Sequence, residues 1–358
     1  MPQCSLLNTH ICAVLPGYYK PCCQYVVYDD IYKDVLLSEM SHKEYTQTPQ
    51  FQRIKKDMET GWHKGCEKCF LDETQNGLTS LRQLANNRYS NSNQIQFVEI
   101  SLSNNCNLSC KMCNPWASST WSDLHKKNPA IQKYFNNLEI DISIDKIFRD
   151  IDFSSVEKIK YLGGEPFITP QTRTLFDFLE ENNSIGNIIL QTNTNCTFYP
   201  KKLISYLLKF KKVIIGLSVD GFDKSCEYSR TGSRWENICN VIEQWYDLYK
   251  NNQNIEIYFS TTINALTVHD FQKISSYSEE KNLNIYPYVL HNPKMLKLEA
   301  LPPEYLKTIK DSYNSKFLQN VVYDSRLFEK LKEFIKSTDT AQKIKIKDYI
   351  PELAKYLT

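Results

Sequence analysis

The sequence predicts an α/β fold with a mainly parallel sheet, and two observations lead to this fold class. Six β-rich runs recur after residue 96, and amphipathic stretches of helix length separate them, which is the pattern of βαβ units. Polar and glycine-rich segments stand where the predicted strands end. In parallel α/β barrels the chemistry lies at that end of the strands.

The predicted elements follow one another along the chain. The strands cover residues 97–102, 158–164, 187–193, 213–220, 255–263 and 284–290, and the clearest helices cover residues 172–181, 202–210 and 235–249. Beyond residue 300 the apolar spacing predicts helices only, one starting near Pro303, one over residues 326–336 and a last turn from Pro351.

Composition and charge exclude several classes of protein. The chain has 358 residues, and 43 Lys and Arg balance 41 Asp and Glu, so no strong field favours nucleic acid or an acidic membrane. No apolar run approaches the ~20 residues of a membrane span. The first residues lack the basic segment of a signal peptide. We expect a cytoplasmic protein with neither a nucleic-acid nor a membrane partner.

The cysteines are crowded towards one end of the chain. Nine of the twelve lie within the first 113 residues, and only Cys196, Cys226 and Cys239 follow. A large chain without a secretion signal has little use for disulfides, so metal or cluster ligation is the better explanation of the crowding. The last three cysteines are expected to be buried or incidental thiols.

Three cysteines share one short loop directly after the first predicted strand. Cys106, Cys110 and Cys113 are separated by intervals of four and three residues. A four-iron cluster normally takes four cysteine ligands, so three would leave one iron open, as in a catalytic metal site. A structural zinc site is disfavoured, because the nearest downstream histidine, His125, is twelve residues away.

This Cys-x3-Cys-x2-Cys motif resembles the signature of the radical S-adenosylmethionine (SAM) family. The resemblance implies a partial (β/α)6 TIM-type barrel, whose open edge the C-terminal helices would cover. It also implies a [4Fe-4S] cluster that binds SAM through its open iron. Reductive cleavage of SAM would then give a 5′-deoxyadenosyl radical, which abstracts hydrogen from a substrate. That first step needs no side-chain base, so no catalytic side chain is assigned.

The same resemblance assigns a SAM pocket to the ends of the strands. In the family, a Gly-Gly-Glu segment holds the amino group of SAM, since glycines admit a ligand and a carboxylate can take an ammonium group. Arg230 lies at the offset where related peptide-modifying members bind the SAM carboxylate, which suits the fork of a guanidinium. The expected SAM-binding residues are Gly163, Gly164, Glu165, Asn193, Ser218, Asp220 and Arg230.

A second set of cysteines precedes the barrel. The segment from Cys66-x2-Cys69 continues as x3-Glu-x3-Gly-x2-Ser-x-Arg, which resembles the twitch module, a short relative of the SPASM domain that holds one auxiliary cluster. The resemblance implies an auxiliary [4Fe-4S] cluster, although a zinc site fits two separate cysteines plus Cys-x2-Cys as well. Cys12 or Cys23 could replace one of the favoured ligands, which are Cys4, Cys22, Cys66 and Cys69.

These features predict three segments and one main function. Residues 1–95 would form the twitch-like module, residues 96–295 the radical SAM core, and residues 296–358 a helical extension. The resemblance implies a radical SAM enzyme that oxidises, epimerises or cross-links a peptide or protein, with a flavodoxin or ferredoxin as electron donor. Two alternatives are a dehydrogenase or epimerase acting on a small sugar-like or nucleotide substrate, and a non-enzymatic iron–sulfur or zinc protein.

Overall fold

The structure is a computed structural model that describes residues 2–15, 17–26, 40–89, 93–135, 151–312 and 317–357. Within these ranges eight strands form one sheet in the order β2-β1-β3-β4-β5-β6-β7-β8. β1 pairs in parallel with β3, β3 with β4, β4 with β5 and β7 with β8, whereas β2 is antiparallel to β1. The strands are β1 (His10–Val14), β2 (Tyr18–Lys20), β3 (Phe97–Ser101), β4 (Lys158–Leu162), β5 (Ile189–Thr194), β6 (Lys212–Ser218), β7 (Ile255–Ile263) and β8 (Ile285–Val289).

Helices precede, separate and follow these strands, and short 3₁₀ turns complete several connections. The helices are α1 (Leu6–Thr9), α2 (His42–Gln47), α3 (Pro49–Thr60), α4 (Glu67–Thr74), α5 (Leu81–Arg88), α6 (Ser119–Lys127), α7 (Pro129–Gln132), α8 (Pro170–Glu181), α9 (Ile204–Leu207), α10 (Lys224–Ser229), α11 (Trp235–Asn251), α12 (Phe271–Glu280), α13 (Pro303–Ser312), α14 (Ser325–Gln342) and α15 (Pro351–Ala354). No helix in this described part of the chain is both long and apolar enough to span a bilayer.

The predicted α/β fold is confirmed. The six predicted strands correspond to β3 to β8, with ends that differ by at most two residues, and the predicted C-terminal helices correspond to α13, α14 and α15. β1 and β2 were not predicted, and they extend the sheet beyond the first predicted strand. β1 is buried almost throughout, so it lacks the alternation of apolar and polar residues that makes a strand recognisable.

The chain divides into two compact units. The first contains the described residues of Met1–Asn104, Leu138–Thr192 and Leu203–Val213, and so holds the N-terminal cysteines and β1 to β4. In its sheet Cys12 of β1 lies opposite Glu99 of β3, and Glu99 lies opposite Lys160 of β4. Parallel pairing therefore places these three side chains on one face of the sheet.

The second unit contains the described residues of Asn105–Asn137, Asn193–Lys202 and Ile214–Thr358. Its hydrophobic core includes Trp121 of α6, Ile263 at the end of β7, Leu290 just after β8 and Phe334 of α14. The C-terminal helices thus share a core with the last strands of the sheet. The division into three segments at residues 95 and 295 stays a prediction.

Candidate active site

The loop that follows β3 carries the three cysteines of the first predicted site. Cys106, Cys110 and Cys113 are each half-buried, and their thiols are close enough for the charge on one to affect the next. Loss of solvent raises the pKa of Cys113 to about 11 and that of Cys110 well above its usual range. Three thiolates are stable here only with positive charge among them, which a bound cluster would supply.

Backbone contacts hold this loop in place. The amides of Ser109 and Lys111 donate to the carbonyls of Thr231 and Ser229, at 3.0 and 2.7 Å. The indole Nε1 of Trp121 donates to the carbonyl of Cys110 at 2.6 Å. Trp121 is fully buried, so this side chain both packs in the core and bonds directly to the cysteine loop.

Lys111 lies between two of the cysteines, and its side chain is completely buried. Its Nζ donates to Asp339 at 2.8 Å and to Thr338 at 2.9 Å, and it lies 4.5 Å from the ring centre of Tyr228. Burial lowers the pKa of Lys111 to about 8, although Asp339 opposes the shift. Sequence reasoning missed this anchor, because nothing near Lys111 in the sequence identifies a partner more than two hundred residues away.

Arg230 and Asp220 form a buried ion pair. Nη2 of Arg230 lies 2.7 Å from Oδ2 of Asp220, and Oδ1 of the same carboxylate accepts from the amide of Thr262 at 2.7 Å. Burial alone would lower the pKa of Arg230, but the Asp220 charge raises it above its ordinary value. Among the described residues nothing accepts a hydrogen bond from Nε of Arg230, so this donor is available to an anionic ligand.

Asn193 lies near the end of β5, where the neighbouring strand β6 leaves room for it. Its Oδ1 accepts from the hydroxyl of Tyr258 at 3.3 Å. A Cβ on Gly216 of β6 would lie 2.3 Å from that oxygen, so any larger residue there would displace the Asn193 side chain. Ser218, also at the end of β6, is half-buried.

Sequence reasoning missed Asn195, which is buried near the cysteine loop. Its Nδ2 lies 3.9 Å from Sγ of Cys106 and donates to Oδ1 of Asn107 at 2.9 Å. The segment 192–195 ends β5 with alternating Thr and Asn, and this polar run at a strand end was the available signal.

The Gly-Gly-Glu segment lies in the first unit and packs on the residues that lead into the cysteine loop. Gly163 has a φ of +147°, and a Cβ there would lie 2.5 Å from the carbonyl oxygen of Ser103. The amide of Gly164 donates to the same oxygen at 2.9 Å. Glu165 is almost fully buried, and its Oε1 accepts from the amide of Phe167 at 3.3 Å.

Four N-terminal cysteines surround one small apolar cavity in the first unit. Cys4, Cys22, Cys66 and Cys69 all line it. Their surroundings raise the pKa of the Cys4 thiol to about 11 and that of the Cys66 thiol to about 12, chiefly through burial. Convergent thiols that are costly to ionise without a metal fit a cluster or a zinc ion.

The spacing of Glu, Gly, Ser and Arg after Cys69 has a structural explanation. Nε of Arg82 donates to Oε1 of Glu73 at 2.9 Å, and the hydroxyl of Ser80 donates to the same oxygen. Gly77 supplies a positive φ of 61° between them. The network directs Arg82 to the cysteine-lined cavity, where its charge favours the thiolates of Cys4 and Cys66.

The two remaining N-terminal cysteines lie elsewhere. Cys12 is completely buried in β1, and neither it nor Cys23 lines the cavity of the other four. Both instead face the Glu99 carboxylate, whose charge raises the pKa of each thiol further than burial alone. Cys196 and Cys226 are buried and Cys239 is half-buried, as expected for thiols without a ligand role.

Fold and site together define an α/β protein with two groups of cysteines that could each hold a metal centre. The family model of the radical SAM superfamily matches residues 100–277 of this chain. The radical SAM cyclopropyl synthase TigE of Paramaledivibacter caminithermalis is 27% identical over 219 residues, which are 59% of this chain and 45% of that relative. The GTP 3′,8-cyclase of Desulforamulus reducens is 30% identical over 102 residues, 28% of this chain and 27% of that relative.

Solved structures are similar at lower identity. Native anSMEcpe with bound AdoMet is 18% identical with a TM-score of 0.40, covering 67% of this chain and 66% of that chain. Streptococcus suis SuiB bound to S-adenosylmethionine is 15% identical with a TM-score of 0.37, covering 80% and 64%. This chain spans less than half the length of the two curated relatives. The family model and the curated relatives support membership of the radical SAM superfamily.

Proposed function

We propose that this enzyme abstracts hydrogen from a peptide or protein and carries an auxiliary [4Fe-4S] cluster in a twitch-like N-terminal module. The observation that carries the proposal is the convergence of Cys4, Cys22, Cys66 and Cys69 on one cavity, with Arg82 beside them. These four residues come from three separate parts of the chain, and a shared ligand would explain why their thiols meet. The resemblance to twitch modules associates such a site with peptide modification.

Each residue of the SAM site has a proposed part. Cys106, Cys110 and Cys113 would hold the first cluster and leave one iron open to SAM. When bound, the cluster and SAM supply the 5′-deoxyadenosyl radical. Arg230 would bind the SAM carboxylate, and Asp220 holds that guanidinium in place at 2.7 Å.

The family resemblance also gives the Gly-Gly-Glu segment of the first unit a proposed part in binding SAM. Gly163 and Gly164 keep the backbone against Ser103, which leaves no side chain between that backbone and a ligand. Glu165 would accept the SAM ammonium group. Asn193 and Ser218, at the ends of neighbouring strands, would contact the rest of SAM.

The metal content of the chain tests the two-cluster proposal. After anaerobic reconstitution we expect about eight irons per chain, falling to about four in Cys106→Ala/Cys110→Ala/Cys113→Ala and in Cys66→Ala/Cys69→Ala. The first variant should form no 5′-deoxyadenosine, while the second should still cleave SAM without forming product. Cys239→Ala, which removes a thiol outside both sites, is the matched control. About four irons per chain in the wild type and none in the first variant would indicate that the N-terminal site binds zinc instead of a cluster.

A second candidate substrate is a nucleotide, favoured by the similarity to a GTP 3′,8-cyclase over 102 residues. Deuterium transfer distinguishes the two substrates. The enzyme would be incubated with extracts of cells grown in deuterated medium, and deuterium in 5′-deoxyadenosine would be measured by mass spectrometry. Protease treatment of the extract should abolish the transfer. Loss on phosphatase treatment instead would favour the nucleotide.

The electron donor and location remain part of the proposal. We infer a flavodoxin or ferredoxin as the reductant and a cytoplasmic location, because reduced clusters need a low-potential donor and a reducing compartment.

A further inference from the structure

A buried group of metal-ligand side chains lies outside both cysteine sites. His10, Cys12 and Glu99 are all buried, and one ring nitrogen of His10, Sγ of Cys12 and a carboxylate oxygen of Glu99 lie within 4.8 Å of one another. His10 and Cys12 are two residues apart on β1, and Glu99 is the register partner of Cys12 on β3. The three side chains therefore extend from one face of two hydrogen-bonded strands, which makes the group rigid.

Two polar atoms in this group have unused bonding capacity. Nε2 of His10 lies 3.9 Å from Oε2 of Glu99, too far for a hydrogen bond. Within the described ranges neither atom has a nitrogen or oxygen hydrogen-bond partner, although the Cys23 thiol also interacts with the Glu99 carboxylate. Buried polar atoms without partners cost free energy. A ligand between them would remove that cost.

The surrounding contacts orient both atoms for a metal ion. Nδ1 of His10 lies 3.3 Å from the carbonyl oxygen of Pro21, so the proton belongs on Nδ1 and the lone pair of Nε2 faces the group. Nζ of Lys160 lies 2.8 Å from Oε1 of Glu99, which leaves Oε2 for the metal. Such outer contacts are typical of the histidine and carboxylate ligands of zinc.

We propose that His10, Cys12 and Glu99 bind one Zn²⁺ ion, separate from both iron–sulfur sites. Imidazole nitrogen, thiolate sulfur and carboxylate oxygen are the three donor types that zinc accepts, at about 2.0–2.3 Å. Tetrahedral zinc places its ligand atoms roughly 3.5 Å apart, so the group need contract only slightly. Binding replaces the thiol proton of Cys12 with the metal and releases that proton. Three protein ligands leave a fourth position open.

Zinc binding to the reconstituted full chain tests the proposal, with Zn²⁺ in a chelator buffer as the probe. We expect one zinc per chain in wild type and in the control Cys239→Ala. Affinity should fall at least about 100-fold in His10→Ala and in Cys12→Ser, beyond the 10–100-fold typical of outer contacts. Iron and sulfide should stay at wild-type levels in both variants. Unchanged zinc affinity in both, or loss of iron with the zinc, would overturn the proposal.

X-ray absorption at the zinc edge of the wild-type protein gives a second test that needs no variant. One sulfur with nitrogen and oxygen neighbours is expected. Four sulfur neighbours would place the zinc among Cys4, Cys22, Cys66 and Cys69 and refute the site. Because iron content and 5′-deoxyadenosine formation are measured separately, failure here is distinguishable from failure of the proposed hydrogen abstraction.

Discussion

Gly163→Ala should disrupt the SAM site through a single added methyl group. The new Cβ would lie 2.5 Å from the carbonyl oxygen of Ser103, whereas ordinary contact begins at 3.4 Å. The backbone must therefore open by about 0.9 Å, and it must also keep a φ of +147° that costs an alanine roughly 1–3 kcal/mol. Since a 1 Å misplacement can cost about 100-fold in rate, we expect SAM cleavage to fall by 10- to 100-fold.

The assay compares Gly163→Ala with Gly61→Ala in the reconstituted enzyme. Gly61 has an extended backbone, and a Cβ there would meet nothing within 4 Å, so this control should behave as wild type. Anaerobic 5′-deoxyadenosine formation, the SAM dissociation constant and the melting temperature are measured for each protein. We expect the melting temperature to fall by ~1–4 °C in Gly163→Ala. Wild-type SAM affinity and cleavage in that variant would refute the assignment of this segment to SAM.

Three further predictions follow from the second unit. Arg230→Met should weaken SAM binding and lower the free energy of unfolding by roughly 3–5 kcal/mol, because it leaves the Asp220 charge buried and unpaired. In denaturant titrations the double variant Arg230→Met/Asp220→Asn should recover part of the lost free energy of unfolding. No recovery would contradict the ion pair. Gly216→Ala should reduce SAM affinity about tenfold by displacing Asn193, whose Oδ1 would lie 2.3 Å from the new Cβ. Unchanged SAM affinity in equilibrium dialysis would show that Asn193 does not contact SAM. The pKa of Lys111 is lowered from 10.5 to about 8 in the folded protein. Between these pH values Lys111 is protonated in the unfolded chain and neutral in the folded one, so its contribution to the free energy of unfolding should rise by roughly 3 kcal/mol as pH increases through that window. Unfolding curves of Lys111→Met should lack this contribution.

The amino-acid sequence predicted what depends on neighbours along the chain. The spacing of Cys106, Cys110 and Cys113 places three thiols on one loop whatever surrounds it. The apolar periodicity of β3 to β8 and of the C-terminal helices reflects burial on one or both sides. This pattern is visible in the residues of each segment alone.

The structure decided which distant residues meet. Six N-terminal cysteines left several possible ligand sets, and the structure places Cys4, Cys22, Cys66 and Cys69 around one cavity that Cys12 and Cys23 do not line. β1 itself escaped prediction, because a short strand buried on both sides has no alternating pattern.

The sequence also did not predict which residues pair with the buried charged side chains. Arg230 was predicted to bind a SAM carboxylate, but its pairing with Asp220 was not foreseen, nor was the burial of Lys111 against Asp339. Local motifs and periodicity are properties of short segments and can be read from them. Ion pairs, shared cavities and the His10–Cys12–Glu99 group depend on the strand register and packing of segments far apart in the chain, which only the tertiary structure determines.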